Sequence, residues 1–213
     1  MRNTAKILLF VCGLTTWAPF AIAKEHPENG AARLEGIGHG GDGCPRNTVG
    51  SYISEDNQVF TLSFDKFSVQ QGPNVPPTER RKFCNITVNL KIPDGWQFAI
   101  GEVEYRGYAN LDAKMRGEIR ASYRYDGVGG SLRPLRAQFT GPVTKDYLQS
   151  DVLTSETRGW SRCGRKHRGL EIKTEIEISG DNKAAGLLTV DTIDGKARQI
   201  YGIAWRKCTE DGK

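Results

Sequence analysis

The sequence predicts an all-β protein: a single antiparallel β-sandwich stapled by two disulfides, with a jelly roll or a barrel as the alternative arrangement. Three observations carry that prediction. Cys84, Ile86, Val88, Leu90 and Ile92 alternate without a miss against Asn85, Thr87, Asn89 and Lys91, and a period of two puts one face on a core and the other in water. Turn residues recur about every ten positions, as short strands folding back on one another require. Four cysteines follow an export leader, so they meet an oxidising compartment where thiols pair.

The leader is read first. Arg2 and Lys6 precede an apolar stretch from Ile7 to Phe20, and Ala21-Ile22-Ala23 supplies a small-x-small cleavage site. That is a secretory signal peptide over residues 1–23, too short for a stable membrane anchor. Leu9-Phe10-Val11 lacks the small residues that would precede a lipidated Cys12. The mature chain is expected to start at Lys24 and to be secreted, either extracellular or periplasmic. No later apolar run approaches the roughly 18 residues of a transmembrane helix. Gly36, Gly38, Gly40, Gly41 and Gly43 crowd the segment 24–43, which is therefore expected to be a flexible lead-in, with the domain spanning 44–213. The full chain carries +5, of which the leader's Arg2 and Lys6 supply two. So mild an excess argues against nucleic acid as a partner.

Strands are expected in order along the domain. Residues 59–64 form the first, and 84–92 the second, ended by Pro93-Asp94-Gly95. Residues 98–108 and 115–125 follow, the latter closed by Asp126-Gly127. Leu170, Ile172, Thr174, Ile176 and Ile178 line the inner face of the next, with Glu171, Lys173, Glu175 and Glu177 outside. Ser179-Gly180-Asp181-Asn182 ends it. Residues 187–190 and 200–205 are the last two, with Asp194-Gly195 read as a hairpin turn between them.

Cys12 leaves with the leader, and Cys44, Cys84, Cys163 and Cys208 remain. Four cysteines allow three pairings. The sequential one, Cys44–Cys84 with Cys163–Cys208, is expected because each bond would tie an irregular segment or domain end to a strand. The four are too dispersed for paired zinc knuckles.

Several stretches together resemble a group of secreted proteins known as domain of unknown function 4360. They are Phe64-Asp65-Lys66-Phe67, Gln71-Gly72-Pro73-Asn74-Val75-Pro76 and Arg81-Lys82-Phe83-Cys84. Tyr105-Arg106-Gly107-Tyr108-Ala109-Asn110-Leu111-Asp112 and Phe139-Thr140-Gly141-Pro142 follow. Gly186-Leu187-Leu188-Thr189-Val190-Asp191 and Tyr201-Gly202-Ile203-Ala204-Trp205 complete the set. The resemblance spans 43–208. It implies a small, exported, β-rich, cysteine-paired domain of bacterial or fungal type and carries no catalytic residues.

The sharpest local feature is the basic segment 158–168, with Arg158, Arg162, Arg165, Lys166, His167 and Arg168 around Cys163 and Trp160 among them. Clustered guanidinium groups bind sulfate or phosphate in bidentate fashion, and an indole can stack on a sugar. The plain alternative is a solvated loop that keeps a secreted protein soluble. Trp96, Tyr105, Tyr108, Tyr123 and Tyr125 could form a stacking platform on one sheet face, although the register of Tyr105 with Val103 favours burial. Glu102, Glu104, Asp112, Asp146 and Asp151 are the carboxylates a hydrolase could draw on. His26 and His39 lie in the lead-in, and neither a Gly-x-Ser-x-Gly elbow nor a His-Glu-x-x-His run exists to place a base. His39 with Asp42, and Asp191 with Asp194, are too few ligands for a metal site. Asn85-Ile86-Thr87 is a glycosylation sequon on the solvent side of its strand, meaningful in a eukaryotic secretory pathway.

The reading that results is a secreted, non-catalytic, monomeric binding protein without cofactor or metal. Its basic segment would meet an anionic polysaccharide or cell-envelope surface. Two rivals stand beside it: a secreted hydrolase using carboxylates at strand ends, and a proteinase inhibitor or effector presenting the disulfide-held basic loop.

Overall fold

Two antiparallel sheets pack face to face, and the alternation that predicts each strand decides which side chains fill the space between them. The computed structural model describes residues 25–126, 128, 134–154, 159–163, 167–190 and 198–209; the expected signal peptide lies outside them. In chain order the strands are β1 Arg33–Gly40, β2 Val49–Ile53, β3 Val59–Phe64, β4 Ser68–Gln71, β5 Arg81–Lys91 and β6 Trp96–Leu111. β7 Met115–Tyr125, β8 Leu135–Thr140, β9 Val143–Val152, β10 His167–Gly180, β11 Gly186–Thr189 and β12 Arg198–Lys207 follow.

The first sheet runs β1-β5-β10-β7-β8. Ile86, Val88 and Leu90 of β5 and Leu170, Ile172 and Ile176 of β10 point inward and are buried. Their neighbours form outward cross-strand rows such as Arg120–Glu175–Phe83 and Ser122–Lys173–Asn85–Gly40. The sequon residue Asn85 is exposed on that face.

In the second sheet the spine is β6. β9 takes one edge of it, from Glu102↔Val152 to Leu111↔Val143. The other edge is shared: β11 pairs Gly186↔Leu111 to Leu188↔Ala109, and β12 then pairs Gln199↔Tyr105 to Lys207↔Trp96. β4 on β11 and β3 on β12 repeat the break one strand further out, and β2 lies outside β3. This corrects the expected hairpin. β11 and β12 follow one another along β6 in the same direction and are not partners; Asp194 and Gly195 lie outside the described residues. The backbone N–H of Val190 donates to the Phe67 carbonyl at 2.9 Å, joining the two breaks.

The lead-in expectation is corrected as well. Within 24–43, Arg33–Gly40 is the strand β1, paired with β5 from Arg33↔Lys91 to Gly40↔Asn85. Gly36, Gly38 and Gly40 occupy its outward positions, where an added Cβ would meet nothing within 4 Å. Their missing side chains erase the polar half of the alternation without weakening the ladder, whose bonds are made by the backbone. Ahead of β1, the chain is tied down by Gly30 N–H to Glu55 O at 2.8 Å and Asn57 Nδ2 to Glu28 O at 2.9 Å.

Both disulfides form in the sequential pairing, Cys44–Cys84 and Cys163–Cys208. At the core centre, Tyr105 Oη lies 2.9 Å from Tyr123 Oη, and Tyr201 Oη donates to Gln199 Oε1. Burial pushes all three phenols above their ordinary pKa, so they stay neutral and hydrogen-bonded, as buried polar groups must. No helix among the described residues is long and apolar enough to cross a membrane.

Candidate functional site

The basic segment is built onto the start of β6 by hydrogen bonds at Ser161. Its N–H donates to Phe98 O at 2.9 Å, and Phe98 N–H donates to its hydroxyl at 3.1 Å. Gln97 Nε2 donates to the Ser161 carbonyl. Two residues later Cys163 is bonded to Cys208, just beyond the end of β12. That bond brings in cations the sequence reading left out. Arg206 donates through Nε to Gln97 Oε1 at 2.8 Å and lays its guanidinium over the Trp160 ring, 4.3 Å from the centroid. Lys207 Nζ stands 5.7 Å from the Trp96 ring. Desolvation pulls the Arg206 pKa below its ordinary value, yet an arginine remains charged throughout the physiological range.

Of the residues expected at this site, Arg162 is exposed and Trp160 half-buried. One face of the indole is taken by Arg206. His167 and Arg168 open β10, with backbones paired to Lys91 and Leu90, and so are not loop residues; nothing is described of their side chains. Arg158, Arg165 and Lys166 lie outside the described residues. The signal that could have found Arg206 and Lys207 was present: they directly precede Cys208, and the expected disulfide places them beside Cys163.

The aromatic platform divides. Tyr105, Tyr123 and Tyr125 are in the core, at 0%, 1% and 2% exposure. The Tyr125 hydroxyl accepts the backbone N–H of Ile100 in β6 at 2.7 Å. Tyr108 and Trp96 remain half-exposed.

The carboxylates are dispersed. Glu104 pairs with Arg106 at 2.9 Å, Glu102 faces Val152 across β9, and Asp112 accepts the Ala185 N–H at 2.8 Å. His39 Nδ1 donates to Cys44 O at 3.0 Å, and Asp42 accepts the Phe83 N–H at 2.8 Å, so both are spent on the backbone around the first disulfide. Among the described residues, no group of three or more His, Cys, Asp or Glu side chains gathers as for a metal.

The outer face of the first sheet carries an ion-pair ladder. Arg120 reaches Glu118 at 2.9 Å and Glu177 at 3.0 Å and also pairs with Glu175, while Arg81 holds Glu175 at 2.8 Å and Arg136 holds Glu118 at 2.7 Å. The hydrogen bond from Arg136 lowers the Glu118 pKa. Burial would raise that of Glu175, but Arg81 and Arg120 outweigh it and the net direction is down. A glycosidase acid needs the opposite shift. Because both folded pKa values lie below the ordinary 4.5, the unfolded chain binds protons first as the pH falls. The ladder's stabilisation is therefore complete above that value and is lost as the pH drops through the folded pKa values. Arg120→Gln is expected to cost about 1 kcal/mol at neutral pH and to flatten the acid limb of a urea-midpoint titration. An unchanged acid limb would remove the ladder as the source of acid sensitivity.

Comparisons with known proteins place the chain in a family. The family model described as Domain of unknown function (DUF4360) matches residues 31–208. An "Uncharacterized secreted protein" of Arthroderma benhamiae is 35% identical over 184 residues, covering 86% of this chain and 74% of its own. Among solved structures, TmCBM61 in complex with β-1,4-galactotriose aligns over 82% of this chain and 90% of its own, at 10% identity and a TM-score of 0.29. The enzymatically active domain of bacteriophage CBA120 tailspike protein 4 aligns over 87% of this chain and 21% of its own, at 13% identity and a TM-score of 0.23.

Proposed function

The chain belongs to the DUF4360 family of secreted proteins, and from that premise we propose that it is a non-catalytic binding protein that meets an anionic glycan or cell-envelope surface through the basic segment 158–168. The observation that carries this reading is the Cys163–Cys208 bond. It joins exposed Arg162 to Arg206 and Lys207 across the ends of β6 and β12, so that cations from two distant parts of the sequence share one edge of the sandwich. Sulfate, phosphate and carboxylate groups along a polymer are the complementary chemistry, because guanidinium groups bind them bidentately. The Arg206–Trp160 stack holds one of these cations in place before any ligand arrives, which lowers the entropy lost on binding.

The test is retention of the mature, oxidised protein on a column of sulfated polysaccharide, eluted with salt. Neutralising Arg162, Arg165 and Arg168 together removes three cations. At roughly 0.5 kcal/mol for each exposed ionic contact, affinity is expected to fall about tenfold. The variant should elute at lower salt with an unchanged urea midpoint. Unchanged elution would remove the segment from consideration.

A further inference from the structure

At the end of β6 opposite to the basic edge, the outward row changes character. Tyr108 and Asn110 of β6 face Asp146 and Thr144 of β9 in direct cross-strand register. Asn110, Asp146 and Thr144 are exposed and Tyr108 is half-exposed. An open cavity of 520 Å³ lies at this corner, lined by Asn110, Leu111, Asp112, Pro142, Val143 and Thr144. We propose that this corner is a binding subsite for a neutral sugar residue of a polysaccharide chain, with Tyr108 as its stacking face.

The polar groups are oriented for that task. The Thr144 hydroxyl donates to Asn110 Oδ1 at 3.0 Å, which fixes the amide and leaves Nδ2 as a free donor. Asp146 has no ion-pair or hydrogen-bond partner among the described residues, so its carboxylate can accept from a pair of vicinal hydroxyls. Asp112 is immobilised, its Oδ2 accepting the Ala185 N–H at 2.8 Å and its own N–H donating to Ala185 O at 3.0 Å. A fixed donor, two carboxylate acceptors and an aromatic ring are what a sugar's hydroxyl edge and C–H face require.

The wall behind them is preformed. The Gly141 N–H donates to Met115 O at 2.9 Å, and a Cβ at Gly141 would lie 2.0 Å from the Asp112 carbonyl. No side chain could be added there without moving the Asp112 backbone, so the corner is tightly packed and pays little to order itself on binding. Charge selects the ligand. Asp112 and Asp146 disfavour uronate, sulfate and phosphate groups, whereas the basic edge, roughly 40 Å away along β6 at about 3.3 Å per residue, favours them. The two ends of one strand thus address different parts of a heterogeneous envelope or wall.

Affinity electrophoresis of the mature, oxidised protein in gels containing β-glucan, xylan, mannan or galactan, at low and high salt, tests the proposal. Retardation in at least one gel that persists at high salt is expected. Tyr108→Ala and Asn110→Ala should each weaken it about tenfold, and Tyr108→Phe should retain it. Asp146→Ala, at an exposed position, gives the same reading should either variant fail to fold. Absence of retardation in all four gels, retardation that vanishes at high salt, or retardation that these alanine variants leave intact would overturn it. Neutralising the basic segment should not alter this result, which keeps the two sites separable.

Discussion

Gly107→Ala is expected to destabilise the domain by about 3 kcal/mol or more, far beyond the cost of a methyl group at most strand positions. Gly107 faces Tyr147 across the β6–β9 pair. The tyrosine ring crosses the bare backbone there, and its hydroxyl donates to the carbonyl of Thr189, the last residue of β11. An added Cβ would lie 2.1 Å from that carbonyl oxygen, 2.4 Å from Tyr147 Oη and 2.7 Å from its Cζ. Tyr147 cannot simply swing away, because its ring also packs on Phe139 of the other sheet at 4.7 Å. The substitution would therefore break a buried hydrogen bond, separate two rings that join the layers, and disturb the point where β11 leaves β6. Gly38→Ala is the matched control. Its Cβ would meet nothing within 4 Å, so a change within about 0.5 kcal/mol is expected. Urea denaturation of the two oxidised variants gives the comparison, and equal midpoints would sink the argument.

Removing either disulfide should cost about 4 kcal/mol in the chain-entropy model, since the bonds span 40 and 45 residues. The two losses should differ in kind. Cys44 and Cys84 are buried, and around them Gly43 N–H donates to Phe83 O at 3.0 Å, with Gly41 and Gly43 packed too closely on Phe83 and Phe67 to accept a side chain. A Cys44→Ser, Cys84→Ser variant should lose stability while the surviving fraction keeps its retention on sulfated polysaccharide. The Cys163→Ser, Cys208→Ser variant should lose stability and retention together, because it frees the basic segment from Arg206 and Lys207. Midpoint and elution salt, measured on both, decide between these outcomes. Equal loss of retention in the two variants would mean that the second disulfide has no special part in the basic edge.

Strands with one wet face were legible in the sequence. Val59–Phe64 and Met115–Tyr125 have the expected limits, and the strand predicted at 170–178 sits inside β10. Their period-two pattern is a local property, imposed by a core on one side and water on the other. β9 was not legible: it is an edge strand with Leu148 and Val152 exposed, so its pattern does not follow burial. β1 was missed because glycine fills its outward positions, and a strand held by backbone bonds to a distant partner leaves no side-chain signature. The function was legible only as far as its compartment. Export and paired cysteines are written in residue types and order, whereas both candidate sites are assembled by pairings across the chain. The sequence names Trp160, Arg162 and Tyr108 and favours burial of Tyr105, but only the tertiary structure leaves Tyr108 beside Asp146 and sets Arg206 on the indole. Periodicity reports which way a side chain faces within its own strand. Which strand lies beside it depends on long-range hydrogen bonding and on disulfides, whose partners lie tens of residues away and leave no mark on the local pattern.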